Sequence, residues 1–126
     1  MWPDFRSQCP VASALDIVGD KWTLVVLRTI FAGRHRYGDL AEMPEAISSN
    51  ILADRLERLE SYGLITKAPY QQNPVRHEYR LTKRGADLLP VLQQLATWAA
   101  RHIPGRWSAP RWFSEGKPED FYPAKS

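Results

Sequence analysis

Hydrophobic positions recur with helical spacing over most of the chain. Val11, Ala14, Leu15 and Val18 return at three- and four-residue steps, as on one face of a helix. Pro10 suits the first helical position, where its missing N–H is not needed, and Gly19 ends the segment. Asp20 is placed to cap a second helix, Lys21 to Phe31, by accepting from its free N–H groups. That helix carries Trp22, Leu24, Val25, Val26, Leu27, Ile30 and Phe31, so it is apolar nearly all round and is expected at the centre of the core. Ala32-Gly33 stops it. A short helix over about Tyr37 to Glu42 turns Leu40 inward, and Met43-Pro44-Glu45-Ala46 reads as a turn, because proline disfavours helix at the preceding residue. Ser48 then caps a helix running to Tyr62, with Leu52, Leu56 and Leu59 as its apolar seam and Gly63 as its stop.

The period next changes from helical to alternating. Tyr79 and Leu81 alternate with Glu78 and Arg80, as in a half-exposed strand. Two strands, about Ile65–Tyr70 and His77–Leu81, are expected around a polar loop from Gln71 to Arg76. Thr82 is expected to cap one long final helix reaching about Ile103, bent at Pro90. The order is helix, helix, short helix, helix, hairpin, long helix. It predicts a mainly α fold with a small β-hairpin, a winged helix-turn-helix whose second motif helix is shaped for a major groove.

Composition narrows the class. The chain has 126 residues, 44% of them hydrophobic, which suits one core and leaves no room for two ordinary domains. No apolar run approaches a membrane span, and the start Met1-Trp2-Pro3-Asp4-Phe5 shows no secretory pattern. The single cysteine, Cys9, excludes an internal disulfide framework and points to a reducing compartment, so a cytoplasmic protein is expected. Net charge is only +3, and basic residues outnumber acidic ones only after residue 47. That weakly favours a nucleic-acid partner met from the second half of the chain. His35, His77 and His102 lie in separate elements without metal-ligand spacing, and no glycine-rich loop follows a strand. Neither an enzyme nor a metal or other cofactor is expected.

Candidate DNA contacts follow from the helical wheel. With Leu52 inward, Asn50, Ala53, Asp54, Glu57, Arg58 and Ser61 point outward, and those nearest the helix start, Ser49, Asn50, Ala53 and Asp54, could reach base edges. Asn bonds adenine bidentately, Ser is permissive, and Ala meets a thymine methyl. Free N–H groups from Ser48 to Asn50 can hold a phosphate. Asp54 and Glu57 are awkward, because phosphates repel a carboxylate. Asp54 either accepts from a cytosine amine or pairs with an arginine such as Arg58. On the hairpin, Asn73 and Arg76 at the tip and Lys67 and His77 on the strands are further candidates, with Pro74 stiffening the loop. Arg34, His35 and Arg36, before the short helix, are candidate phosphate contacts. The plainer readings are an amphipathic surface helix, a solvated turn and solubilising loop charges. The whole pattern also fits a winged helix used as a protein-interaction module without DNA readout.

These residues resemble the HxlR-type transcriptional regulators, winged helix proteins related to the MarR type. The matching text is Cys9-Pro10-Val11, Leu15-Asp16-Ile17-Val18-Gly19-Asp20-Lys21-Trp22, Ile47-Ser48-Ser49-Asn50-Ile51-Leu52, Arg55-Leu56, Leu59-Glu60, Gly63-Leu64-Ile65, Tyr79-Arg80-Leu81-Thr82 and Gly85. The resemblance implies a homodimer on a pseudo-palindromic operator in double-stranded DNA, joined through the first and last helices. Independently, the apolar surface of the last helix is too broad for one small domain to cover. Val11, Leu15, Leu88, Leu92, Leu95 and Trp98 are the candidate interface residues. Some members of the family that it resembles sense oxidants or electrophiles through the matching cysteine, which makes Cys9 a candidate sensor. Cys9 stands just before a helix start, where free N–H groups favour a thiolate. The plainer reading is a small interface residue.

Three segments are expected: an arm over 1–8, the winged domain over 9–103, and an extension over 104–126. The extension holds Pro104, Pro110, Pro118 and Pro123, so it is not helical throughout. Its Trp107, Trp112, Phe113, Phe121 and Tyr122 argue against simple disorder. It is expected to pack on its own domain or on a partner subunit, with Trp2 and Phe5 as candidate companions, or else to roof a small-effector pocket.

Overall fold

The computed structural model describes residues 1–122; Pro123, one of the prolines noted in the extension, lies outside them. Helix α1 spans Pro10–Val18, α2 Thr23–Phe31, α3 Tyr37–Ala41 and α4 Ser49–Ser61. Strands β1, Ile65–Gln72, and β2, Val75–Leu81, form an antiparallel pair with Ile65 opposite Leu81. Helices α5, Lys83–Ala86, α6, Leu89–His102, and α7, Arg111–Ser114, follow, with a 3₁₀ turn over Pro118–Asp120. No described helix is long and apolar enough to cross a membrane.

Helix α2 is the hub, as its all-round apolar pattern predicts. Val26 and Leu27 are fully buried, and Leu40, Leu52, Ile65 and Leu89 complete the centre of the core. Each comes from a different element, so removing these side chains from water ties α3, α4, the wing and α6 to one helix. The first helix behaves otherwise. Only Ile17 and Val18 enter the core, while Val11 and Leu15 stay exposed.

Two parts of the chain depart from the sequence expectation, the wing and the final helix. The wing is longer: its strands close on the two residues Asn73 and Pro74, not on a six-residue loop. Beyond Ile65 every residue of β1 is exposed on both faces, so polar Gln71 and Gln72 pair as well as apolar residues would. A bulge sits between Pro69 and Gln71, where Pro69 has no N–H to donate. The final helix is not one bent rod. Thr82 caps only α5, accepting from the Gly85 N–H at 3.1 Å, and the chain turns at Asp87-Leu88 before α6 starts. Pro90 cannot donate to a preceding turn but fits the first turn of a new helix, so it restarts the helix instead of bending it.

The extension packs on its own domain. Phe113 is buried, and the Phe121 ring meets Phe31 edge-on at 5.0 Å. The Gln93 side-chain amide on α6 donates to the Phe113 and Gly116 carbonyls at 2.8 and 2.9 Å. Trp2 does not join it. Trp2 stacks on Tyr62 at 5.8 Å with the Arg84 guanidinium over its ring, while Phe5 is partly exposed.

Candidate nucleic-acid interface

Helix α4 is built to bury one face and present the other. The Ser48 hydroxyl accepts from the Ile51 N–H at 3.3 Å, the expected cap. Leu52, Leu56 and Leu59 are buried against the core, which leaves Ser49, Asn50, Ala53 and Asp54 exposed beside exposed Ser48. The Tyr37 hydroxyl donates to the Ser49 carbonyl at 3.1 Å and ties the start of α3 to the start of α4. Arg36 stands with its guanidinium 3.9 Å from the Tyr70 ring centre and bridges by its backbone to Glu78. The wing therefore fixes Arg36 beside β1, an attachment invisible in the sequence.

One carboxylate locks α4 to the start of α2. Asp20 Oδ1 accepts from the Trp22 and Thr23 N–H groups at 2.8 and 3.0 Å and from Arg55 Nε at 3.0 Å; Oδ2 accepts from the Thr23 hydroxyl. Burial pushes the Asp20 carboxyl up, but the bonds from Thr23, Trp22 and Arg55 outweigh it and hold the group well below the carboxylate range. Arg55 continues the network to Asp54 Oδ2 at 2.5 Å. Asp54 thus pairs with Arg55, not with Arg58. Arg58 instead lies half-buried on the flank of α4, its Nη1 3.8 Å from Asp20 Oδ2 and away from the outward face expected for it. The reason is the wheel: Arg55 and Arg58 both lean toward the α1–α2 junction, where Asp20 is the available anion. Arg55, part of the matching text but not a site candidate, is the positioning residue that sequence reasoning missed. Its partner stands 35 residues away.

On the wing, Asn73 and Arg76 are exposed, and Arg76 makes no ion pair or side-chain hydrogen bond among the described residues. His77 is half-buried and registers opposite Pro69. Away from the wing, Cys9 is exposed immediately before α1, its carbonyl bonded to the Ser13 N–H. Val11 and Leu15 on α1 and Leu95 and Trp98 on α6 are exposed at 68, 52, 51 and 60%. Leu88 is half-buried against the core. Leu92 is a correction: it is 7% exposed and belongs to the chain's own core, because it shares the inward face of α6 with Leu89. Val91, the residue before it, is exposed. Among the described residues no cluster of three His, Cys, Asp or Glu side chains is arranged to hold a metal ion.

A short helix, a turn, a helix with an exposed polar face and a two-stranded wing define a winged helix-turn-helix protein. The chain belongs to the HxlR-like helix-turn-helix family, whose model matches residues 17–106. Its sequence is 42% identical over 94 residues to the uncharacterised HTH-type transcriptional regulator Mb3122 of Mycobacterium bovis, covering 75% of this chain and 59% of that protein. The chain thus spans less than two thirds of that relative's length. A MarR-family structure from Porphyromonas gingivalis W83 superposes with a TM-score of 0.68 at 35% identity, covering 77% of this chain and 95% of the other. The reduced form of the transcriptional regulator YodB from B. subtilis gives a TM-score of 0.64 at 27% identity, covering 80% of this chain and all of YodB. YodB has also been crystallised after diamide treatment.

Proposed function

We propose that the protein is a sequence-specific DNA-binding transcriptional regulator, a repressor acting as a homodimer on a pseudo-palindromic operator. The observation that carries this reading is α4: its seam is buried while Ser49, Asn50, Ala53 and Asp54 stay exposed at the helix start, beside a wing that offers an unengaged Arg76. Asn50 and Ala53 read base edges, Ser48 and Ser49 hold a phosphate at the helix N-terminus, and Asp54 takes part once Arg55 shares it. Arg36, Asn73, Arg76 and His77 hold the flanking backbone. Arg58 steadies α4 through Asp20. The second copy covers Val11, Leu15, Val91, Leu95 and Trp98 and presents a second α4 one helical turn of DNA away.

Selection of bound genomic fragments supplies the operator, and titrations at several salt concentrations test the docking. Arg76→Ala is expected to weaken all sequences alike, by roughly tenfold, and to lower the salt slope by about one. Asn50→Ala is expected to cost about 1–3 kcal/mol at particular base pairs only. Full affinity and specificity in both variants, or binding indifferent to salt, overturns the reading and leaves a protein-interaction module.

The likeness to YodB supports Cys9 as the release signal. Two Cys9 thiolates, one per subunit, or one Cys9 and a small thiol, are oxidised to a disulfide while the oxidant takes up the two electrons. Diamide is expected to release the wild-type protein from its operator and to leave Cys9→Ser bound. Equal release of both forms ends the redox assignment and leaves the DNA reading intact.

A further inference from the structure

The extension builds a cleft that the winged domain alone lacks. After α6 the chain passes Trp107-Ser108-Ala109-Pro110 without regular structure, and α7 then returns Phe113 to the core. Between this segment, the end of α2 and the turn before α4 lies a cleft of about 560 Å³. Its walls are mostly apolar: Met43 and Pro44 from the turn, Ala96 from α6, and Trp107, Trp112 and Phe113 from the extension. Such a size and such walls suit a small ligand better than water.

The polar groups at the cleft differ in availability. Arg28 is committed to Glu45, with both terminal nitrogens on that carboxylate at 2.7 and 2.8 Å. The Thr29 hydroxyl donates to the Val25 carbonyl and accepts from Arg28. Arg34 lines the same cleft and makes no ion pair or side-chain hydrogen bond among the described residues. Glu42 also lines it and repels an anion from its own side. The result is an apolar slot with one unengaged cation and a carboxylate that fixes where a negative group can go.

We propose that this cleft binds a flat aromatic molecule carrying a single anionic group, its rings against Trp107 and Trp112 and its anion at Arg34. Rings stack on indole faces, and a guanidinium holds a carboxylate or sulfonate through charge-assisted hydrogen bonds. The family match ends at residue 106, so the wall from Trp107 to Phe113 lies beyond the matched segment, while Arg34, Met43, Pro44 and Ala96 lie within it. It is separate from the exposed Val91, Leu95 and Trp98 of α6. It borders Met43-Pro44, the turn between α3 and α4, so an occupant touches the segment that sets the reading helix. The proposal goes beyond the DNA reading and is tested without DNA.

The probe is 8-anilinonaphthalene-1-sulfonate, titrated into the full chain and followed by its own fluorescence and by tryptophan quenching. One saturable site per chain is expected. Arg34→Ala and Trp107→Ala are each expected to weaken it roughly tenfold. Both side chains are exposed, Trp107 at 80%, so the urea midpoint stays unchanged and certifies the fold. N-phenyl-1-naphthylamine, which keeps the rings and lacks the sulfonate, is expected to bind more weakly and to ignore Arg34→Ala. Trp98→Ala is expected to leave the titration as it is. Non-saturable binding, indifference to both cleft variants, or loss of binding in Trp98→Ala overturns the assignment, the last by placing the dye on the α6 face.

Discussion

Gly85→Ala is expected to destabilise the protein by about 3 kcal/mol or more, read as a lower urea midpoint. Gly85 lies in α5 and is buried, and a Cβ there would meet the Leu64 carbonyl oxygen at 2.0 Å and its carbon at 3.0 Å. These are backbone atoms, and no rotamer change moves them. The same carbonyl accepts the Thr82 N–H, and the Thr82 hydroxyl donates to the Gly63 carbonyl, so the junction of α4, β1 and α5 is tied at several points. Relieving the clash means breaking this knot. Gly38→Ala supplies the contrast. Gly38 also lies in a helix, but nothing stands within 4 Å of its added Cβ. That variant is expected to be neutral or slightly more stable, by up to ~1 kcal/mol, from helix propensity. Equal midpoints for the two variants would show that the junction yields.

Asp20→Ala is expected to cost about 2–3 kcal/mol and to weaken operator binding without touching a DNA-facing side chain. The loss combines the carboxylate's bonds to the Trp22 and Thr23 N–H groups at the start of α2, worth about 1 kcal/mol, with the charge-assisted bond to Arg55. Arg55 keeps Asp54, which limits the damage. The pH dependence carries the signature. The folded Asp20 carboxyl sits below its ordinary value of 3.8, so the unfolded chain binds the proton first. Its stabilisation is therefore complete above that ordinary value and is lost as pH falls below it. The gap between wild type and Asp20→Ala is expected to stay constant from about pH 5 to 8 and to narrow steadily below pH 4. A gap that holds its size down to pH 2 would show that the carboxylate charge does not support the fold.

Much of α4 was legible because it is local. Ser48 followed by a three-four spacing of Leu52, Leu56 and Leu59 fixes where α4 begins and which side is wet. Arg58 misled because a wheel assigns angles and not partners: a long side chain on the flank goes to the nearest anion, and Asp20 comes from another helix. Leu92 misled for a related reason. A broad apolar stripe on α6 shows that two surfaces need covering but not where the division between them falls.

The sequence by itself determined the succession of elements, the central place of α2, the cap of α4 and the presence of a wing, since hydrophobic period and capping chemistry act within a few residues. Only the tertiary structure decided that Pro90 restarts a helix, that Asp20 holds α4 through Arg55, and that the aromatic extension folds back beside α2 to wall a cleft. Those outcomes depend on which surfaces meet after the elements have formed. Apolar burial has no preferred direction along the chain, and an ion pair between residues 20 and 55 exists only once packing brings them to 3.0 Å.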